Sequence, residues 1–355
     1  MQGIKNFLIW LRVVFFFRHT VLPLIKSAGQ RRWLKIWVTR ISQRTGKRPI
    51  SIWTDMLVKL FLNRADFWDY SVYELYSKSL KECRLYLTRG RYRRFYPFLT
   101  TKRTRQIMTE KPIFNKIFSE YLKREYLCIS KDTRPEQISE FVLRHPVFIA
   151  KPINLRCGLG IELVDATSFA SNKELLDYLN SKAMLLLEER VYNHEVLARF
   201  STNSLNTLRI ITVRLPEGVK IIFSALRFAK DDEVVDNINC GACPVDIESG
   251  RIFRGVTSFG NPHTCSPTHP SGFEVVGIEI PFWSEVKAMV KKAALQLEDV
   301  YFVPWDVAVT PNGPLIIEGN VDPGHRFSEI TQQTSYLDVK GAYEYARRRR
   351  GSKLH

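Results

Sequence analysis

With 355 residues, 45% of them apolar, and with 18 glycines and 17 prolines, the chain is a globular protein able to bury one large core or two moderate ones. Its 53 Lys and Arg outnumber 36 Asp and Glu for a net charge of +17, and 6 cysteines are too sparse for a secreted disulfide framework, so reduced thiols in the cytoplasm are expected. The excess charge gathers at the start: no acid precedes Asp55, whereas Lys5, Arg12, Arg18, Lys26, Arg31, Arg32, Lys35, Arg40, Arg44, Lys47 and Arg48 all do.

The first apolar stretch, residues 7–17 (FLIWLRVVFFF), is interrupted by Arg12 and falls short of the roughly 20 apolar residues of a bilayer span, so no transmembrane helix is expected. Trp10, Trp33 and Trp37 stand among arginines, a pattern that fits amphipathic helices lying on an anionic membrane surface through residues 1–50. It also fits a basic helical pair packed on the rest of the protein, or an organellar transit peptide. No reading motif accompanies the charge, and no nucleic-acid partner is expected.

Residues up to about 100 read as helical, with apolar positions three and four apart around Trp53, Leu57, Leu60 and Phe61, and again around Tyr73, Leu75 and Leu80. From Val147 the pattern changes to short β-branched runs alternating with helices: VFIAKP, a glycine-bearing turn, IELV, a helix over 173–179, and MLLLEERV. That alternation is of the α+β class. Strands are expected over 207–213 and 219–226, then a helix over 284–297 with Val286, Met289, Val290, Ala293 and Leu297 on one face. Residues 345–350 bring the chain near its end in an arginine run that reads as a solvated helix end or tail.

Chemistry-bearing residues recur along this order. Lys151 ends the strand VFIA, and Gly158 and Gly160 follow in a turn where glycine lets backbone approach a polyphosphate beside a fixed positive charge. The strand MLLL runs into Glu188, Glu189, Arg190 and Val191, with Glu195 beyond, which suits a hinge reading a purine edge and a ribose hydroxyl, or plain strand and loop. Last comes WDVAVTPNGPLIIEGN, 305–320, in which two apolar strands flank an Asn-Gly turn. Pairing them brings Asp306, Glu318 and Asn320 together as hard oxygen ligands suited to Mg²⁺, or leaves the acids at the solvated ends of an ordinary hairpin.

The succession of a lysine, a glycine turn, an apolar strand ending in acids and a D…ExN hairpin resembles the ATP-grasp superfamily over roughly residues 110–328. The spacing is similar to that in D-alanine:D-alanine ligases, in which an acid opens the adenine hinge and a second lies seven positions later, as Glu188 and Glu195 do. Within the superfamily the chain is most similar to the sugar-transfer associated ATP-grasp group, through NTLRIITVR, ALRFA, VVDNINCGACPVDIESG and WDVAV. The resemblance implies an α+β, ATP-grasp fold of two subdomains clamping nucleotide over 106–335. A basic helical region, 1–105, would precede it and a basic tail, 336–355, follow.

It also implies roles. Lys151 would contact the α/β-phosphates and adenine edge, with Lys111 as the preceding phosphate lysine and the turn at Gly158 and Gly160 over the phosphates. Glu188 and Val191 would face adenine and Glu195 the ribose. Asp306, Glu318 and Asn320 would hold Mg²⁺, and Arg209, Arg227 and Arg326 would serve the γ-phosphate or intermediate. Pro304 departs from the pattern, because D-alanine:D-alanine ligases place an arginine two positions before the metal aspartate.

The activity so implied is an ATP- and Mg²⁺-dependent carboxylate-amine ligase working through an acylphosphate. Its substrates would be a sugar acid or glycan precursor and an amino acid, in polysaccharide biosynthesis, in the cytoplasm or on the inner face of the membrane. A kinase using the same clamp and a membrane-attached nucleotide-binding scaffold are the alternatives.

Overall fold

The computed structural model describes Val14, Arg18 and residues 28–130, 132–153, 159–201, 204–228, 241–257, 265–321 and 334–352. Gly158, Arg326 and most of the first 27 residues lie outside these. The chain divides into two compact units, Met1–Tyr96 with Gln332–Leu337, and Pro97–Thr331 with Asp338–His355.

The first unit is helical. Helix Ala28–Thr45 is followed by Pro49–Asn63, whose first turn accepts Pro49 because the residue before it, Arg48, is extended and no helical N–H is lost there. Asp66 and Asp69 form a reciprocal capping box that starts Phe67–Val72, and Ser79 and Glu82 do the same for Leu80–Cys83. Leu34, Trp37, Val38, Ile41, Ile52, Met56 and Leu60 pack with Tyr70 and Tyr73 into its core. Lys59 is buried there, neutralised by Asp55 at 2.9 Å and donating to the Leu75 carbonyl at 2.7 Å.

The second unit is α+β and holds two antiparallel sheets. In the four-stranded sheet, β1 (Tyr126–Cys128), β2 (Val147–Lys151), β3 (Glu162–Asp165) and β4 (Leu186–Glu189) lie in the order β1-β4-β2-β3. Alternation along the strands sends Phe148, Ala150, Val164 and Leu187 to one side, where they pack with Phe141 of helix Pro135–Arg144 and Leu175 and Leu179 of helix Asn172–Ser181.

The five-stranded sheet has β5 (Thr207–Leu215), β6 (Gly218–Arg227), β7 (Ala242–Pro244), β8 (Phe302–Thr310) and β9 (Gly313–Gly319) in the order β7-β6-β5-β8-β9. Leu208, Ile210, Leu226, Val303, Trp305, Val307 and Ile316 form one face of it. Helix Trp283–Leu295 buries Val286, Met289, Val290 and Ala293 against them. Because side chains alternate with period two, the intervening residues Thr207, Arg209, Arg227 and Asp306 are carried on the opposite face.

The segment expected as a basic tail holds a helix, Tyr336–Ser352. Val339, Ala342 and Ala346 on it are fully buried, and Arg350 donates to the Pro97 and Thr100 carbonyls at 3.0 and 3.2 Å. Val339, Ala342 and Ala346 recur three and four positions apart, which gives one packed face, while Arg347, Arg348 and Arg349 are exposed. Among the described residues no helix is long and apolar enough to cross a membrane.

Candidate functional site

The two-residue turn of the last hairpin is Pro311-Asn312, with Thr310 paired to Gly313 and Gly313 at φ 101°. That positive φ is why glycine opens β9. Toward its other end the register shifts: Val307 pairs with Ile316 but Asp306 pairs with Glu318, so Ile317 has no opposite residue. This bulge sets Glu318 across from Asp306; an unbroken ladder would oppose Ile317 to it. On the other side of β8, Asp306 pairs with Arg209 of β5. Arg209, Asp306 and Glu318 thus form a row across three strands.

Arg209 Nε lies 2.7 Å from Asp306 Oδ1 and Arg227 Nη2 lies 3.1 Å from Oδ2. Arg227 also donates to the Thr207 hydroxyl, its cross-strand partner on β5. Asn320 follows β9, its N–H donating to the Pro304 carbonyl at 2.8 Å, and its amide nitrogen is 3.2 Å from Asp306 Oδ2 and 3.2 Å from Glu318 Oε1. Asp306 is 3% exposed. Burial raises its pKa, but Arg209 and Arg227 outweigh that and hold it below the ordinary carboxylate value. Burial and the Asp306 charge push Glu318 up, against the pull of Arg209 and Lys151. Glu318 itself is exposed, next to the Asp306 charge on the same row.

The donor chemistry fits a hard divalent cation. The buried Asp306 Oδ1 has an ionic neighbour but no aligned hydrogen bond. Glu318 is the adjacent acid, and Asn320 can present its carbonyl by rotating the amide. Among the described residues no group of three or more His, Cys, Asp or Glu gathers anywhere. Two carboxylates and a carboxamide leave positions for water and phosphate oxygens, as Mg²⁺ requires.

On the four-stranded sheet, Lys151 ends β2 and Glu188 lies on β4, with Ile149 opposite Glu188 and Lys151 opposite Leu186. Their diagonal placement brings Lys151 Nζ to 2.5 Å from Glu188 Oε2. Arg124, which sequence reasoning missed, grips the same carboxylate with Nε and Nη2 at 3.2 and 3.1 Å. Burial pushes the Glu188 pKa up, yet Arg124 and Lys151 outweigh it and bring it to about 2. Both oxygens of Glu188 are engaged, and its main chain lies between β1 and β2, opposite Tyr126 and Ile149.

Lys111 opens helix Lys111–Ile117 and donates to the Pro152 and Ile153 carbonyls, the residues that lead from β2 into the glycine turn. Gly160 leaves that turn at φ 71°. Val191 is half-buried and Glu195 exposed in the first turn of the short helix Glu195–Ala198. The linker carrying them is fixed at several points. His194 N–H donates to the Val309 carbonyl of β8 at 2.7 Å, and the Asn193 side chain bonds the Ser204 carbonyl at 2.8 Å and the Asn206 N–H at 2.9 Å.

Gly319, between Glu318 and Asn320, was also missed. A Cβ there would lie 2.6 Å from Met108 Sδ and 2.9 Å from Phe114 Cε2, on helices Lys102–Thr109 and Lys111–Ile117. Its lack of a side chain lets those helices press on the strand that carries the acids.

Two antiparallel sheets, one ending in Lys151 and Glu188 and the other carrying Asp306, Glu318 and Asn320, have the features of the ATP-grasp superfamily. The sequence profile of the family described as sugar-transfer associated ATP-grasp matches residues 90–342, and the chain belongs to that family. No curated protein matches it. Among solved structures, it is similar to the D-alanine-D-alanine ligase from Coxiella burnetii, at 11% identity and TM-score 0.44, covering 70% of this chain and 61% of that one. It is also similar to the ATP-grasp ligase PsnB complexed with minimal precursor, Mg and ADP, at 12% identity and TM-score 0.40, covering 70% and 62%. Phosphoribosylamine-glycine ligase from Thermotoga maritima matches at 15% identity and TM-score 0.41, covering 65% and 52%. The chain spans less than two thirds of each, and likenesses this low carry no argument about activity.

Proposed function

We propose that this chain is an ATP- and Mg²⁺-dependent ligase that joins a carboxylate to an amine through an acylphosphate. The observation that carries this reading is the row Arg209, Asp306, Glu318, in which buried cations and paired acids share one face of the sheet. A substrate carboxylate oxygen attacks the γ-phosphorus, an O–P bond forms, the bond to the β,γ-bridging oxygen breaks and ADP leaves. The amine nitrogen then attacks the acyl carbon, phosphate departs and the amine loses a proton to solvent.

Asp306, Glu318 and Asn320 would hold Mg²⁺, which would supply charge neutralisation at the phosphate oxygens. Arg209 and Arg227, with Arg326, stabilise the transferring phosphoryl group and the intermediate, in place of the arginine that Pro304 replaces. Lys111 and Lys151 hold the phosphates, and the turn with Gly158 and Gly160 covers them and keeps water from the acylphosphate. Glu188 and Val191 face adenine, and Glu195 takes the ribose. No side-chain nucleophile is required. The substrates we favour are a sugar acid or glycan precursor and an amino acid, in polysaccharide biosynthesis, a choice that rests on the family description.

The test is phosphate release from ATP with pooled amino acids and uronic acids. A ligase releases phosphate only when acid and amine are both present. A kinase yields ADP and a phosphorylated product without free phosphate, and a scaffold yields neither.

We further propose that the protein works in the cytoplasm with peripheral contact to the inner face of the membrane, through residues 1–50. Arg31, Arg32, Lys35, Arg40 and Arg44 are exposed on helix Ala28–Thr45. Helix Pro49–Asn63 in the same unit exposes Ile50, Leu57, Val58 and Leu62 and no charge among them. Basic and apolar exposed faces of this kind suit an anionic bilayer surface. Flotation with phosphatidylserine vesicles at low and high salt tests it; a protein that stays at the bottom at low salt refutes it.

A further inference from the structure

Arg124 stands in the run Lys123-Arg124-Glu125, between helix Ser119–Leu122 and β1. Lys123 turns the chain at φ 45°, and Arg124 behind it is 8% exposed. Its guanidinium is divided between the two sheets. Nε and Nη2 take both oxygens of Glu188 on β4, while Nη1 donates to the Ile316 carbonyl at 2.8 Å and Nη2 to the Ile317 carbonyl at 3.1 Å. Those two carbonyls belong to the β9 bulge, where the register with β8 shifts. A bulge leaves backbone polar groups outside the ladder, and buried ones need another partner.

Stability alone does not account for this arrangement. A buried triad of two cations and one carboxylate is expensive to desolvate, and packed apolar side chains often serve the fold as well or better. Its geometry points elsewhere. The planar fork is the one side chain that can grip a carboxylate with two donors and still span successive carbonyls; a lysine ammonium is a point donor.

We propose that Arg124 is a positioning residue that locks the β9 bulge in the phase that sets Glu318 opposite Asp306, while fixing Glu188 and Lys151 on the other sheet. One guanidinium thereby ties the nucleotide side of the site to its metal side. The metal half of this inference rests on the function proposed above; the bulge half does not.

The test uses the full chain with Mn²⁺ and ADP, reading bound Mn²⁺ by electron paramagnetic resonance and backbone exchange of the peptide 313–321 by deuterium uptake. Arg124→Met weakens Mn²⁺ about tenfold, as loss of a group supporting a metal ligand does, and speeds exchange over 313–321. Arg124→Lys, the variant least liable to misfold, shows both effects in smaller measure. Glu188→Gln keeps the carbonyl bonds, so it weakens ADP, and with it the Mn²⁺ that ADP helps to hold, but leaves β9 exchange unchanged. The proposal is overturned if Arg124→Lys and Arg124→Met leave exchange over 313–321 unchanged, or if Glu188→Gln speeds that exchange as much, which would mean that Arg124 acts only through Glu188. Asp306→Asn separates the two readings: undiminished Mn²⁺ binding there removes the metal assignment, and the exchange data then decide the role of Arg124 alone.

Discussion

Asp306 and Glu318 are direct cross-strand partners, the first buried and the second exposed, bridged by the amide of Asn320 at 3.2 Å from an oxygen of each. Asp306, the buried acid, is also ion-paired with Arg209 and Arg227. That asymmetry separates two substitutions. Asp306→Asn lowers ATP turnover at least about a hundredfold and also lowers the melting temperature, because two buried guanidinium groups lose their counter-charge. Glu318→Gln loses turnover to a similar degree but keeps its melting temperature, since Glu318 is exposed and glutamine keeps its shape. Phosphate release and calorimetry on both variants check this; full turnover in Glu318→Gln would remove that residue from the metal set.

Gly319 sits where helices press on β9. Gly319→Ala forces its methyl against Met108 and Phe114, and overpacking of this kind costs about 1–3 kcal/mol. Urea denaturation should show the loss, and Met108→Ala in the same chain should recover part of it. A Gly319→Ala protein as stable as the parent would contradict the close approach.

The Glu188 carboxyl supplies a pH dependence of known sign. Its folded pKa, about 2, lies below the roughly 4.3 of an unfolded glutamate, so the unfolded chain takes up the proton first as pH falls. The stabilisation is therefore complete above pH 4.5 and is lost progressively down to about pH 2, with up to ~3 kcal/mol at stake. Glu188→Gln lacks this component. The stability difference between parent and variant, followed by denaturation from pH 6 to pH 2.5, should narrow over that window; a constant difference would mean that Arg124 and Lys151 do not depress this group.

The helix Tyr336–Ser352 makes a fourth prediction. Ala342 and Ala346 are fully buried, and placing an unpaired carboxylate at either costs several kcal/mol. Ala346→Asp should lower the melting temperature by many degrees, while Arg348→Asp, on an exposed position, should shift it little. Equal, small effects would mean that the helix is a solvated tail after all.

Much of the sheet scaffold was legible because its signals are local. Alternation over 207–213 and 219–226 lies within β5 and β6, and the apolar face read over 284–297 is the one that helix Trp283–Leu295 buries, with Leu297 packed beside it. The hairpin acids were visible because Asn-Gly and the flanking apolar runs mark a turn within a few residues. What escaped depends on contacts distant in sequence. Arg124 looks like part of a solvated charge run, and only the meeting of β4 with β9 gives it partners 64 and 192 positions away. The bulge at Ile317 is a property of the pairing and not of either strand, so no periodicity announces it. Gly319 could have been noticed, since the residue between Glu318 and Asn320 has its Cβ direction opposite to theirs and therefore toward the packed helices.

The bond from His194 N–H to the Val309 carbonyl joins two main chains. Such a link is inherited through the backbone, and every side chain at position 309 and nearly every one at 194 preserves it. Sequence drift in the linker between β4 and helix Glu195–Ala198 can therefore be wide while its anchorage to β8 persists, with proline at 194, which has no N–H to give, as the one substitution that severs it.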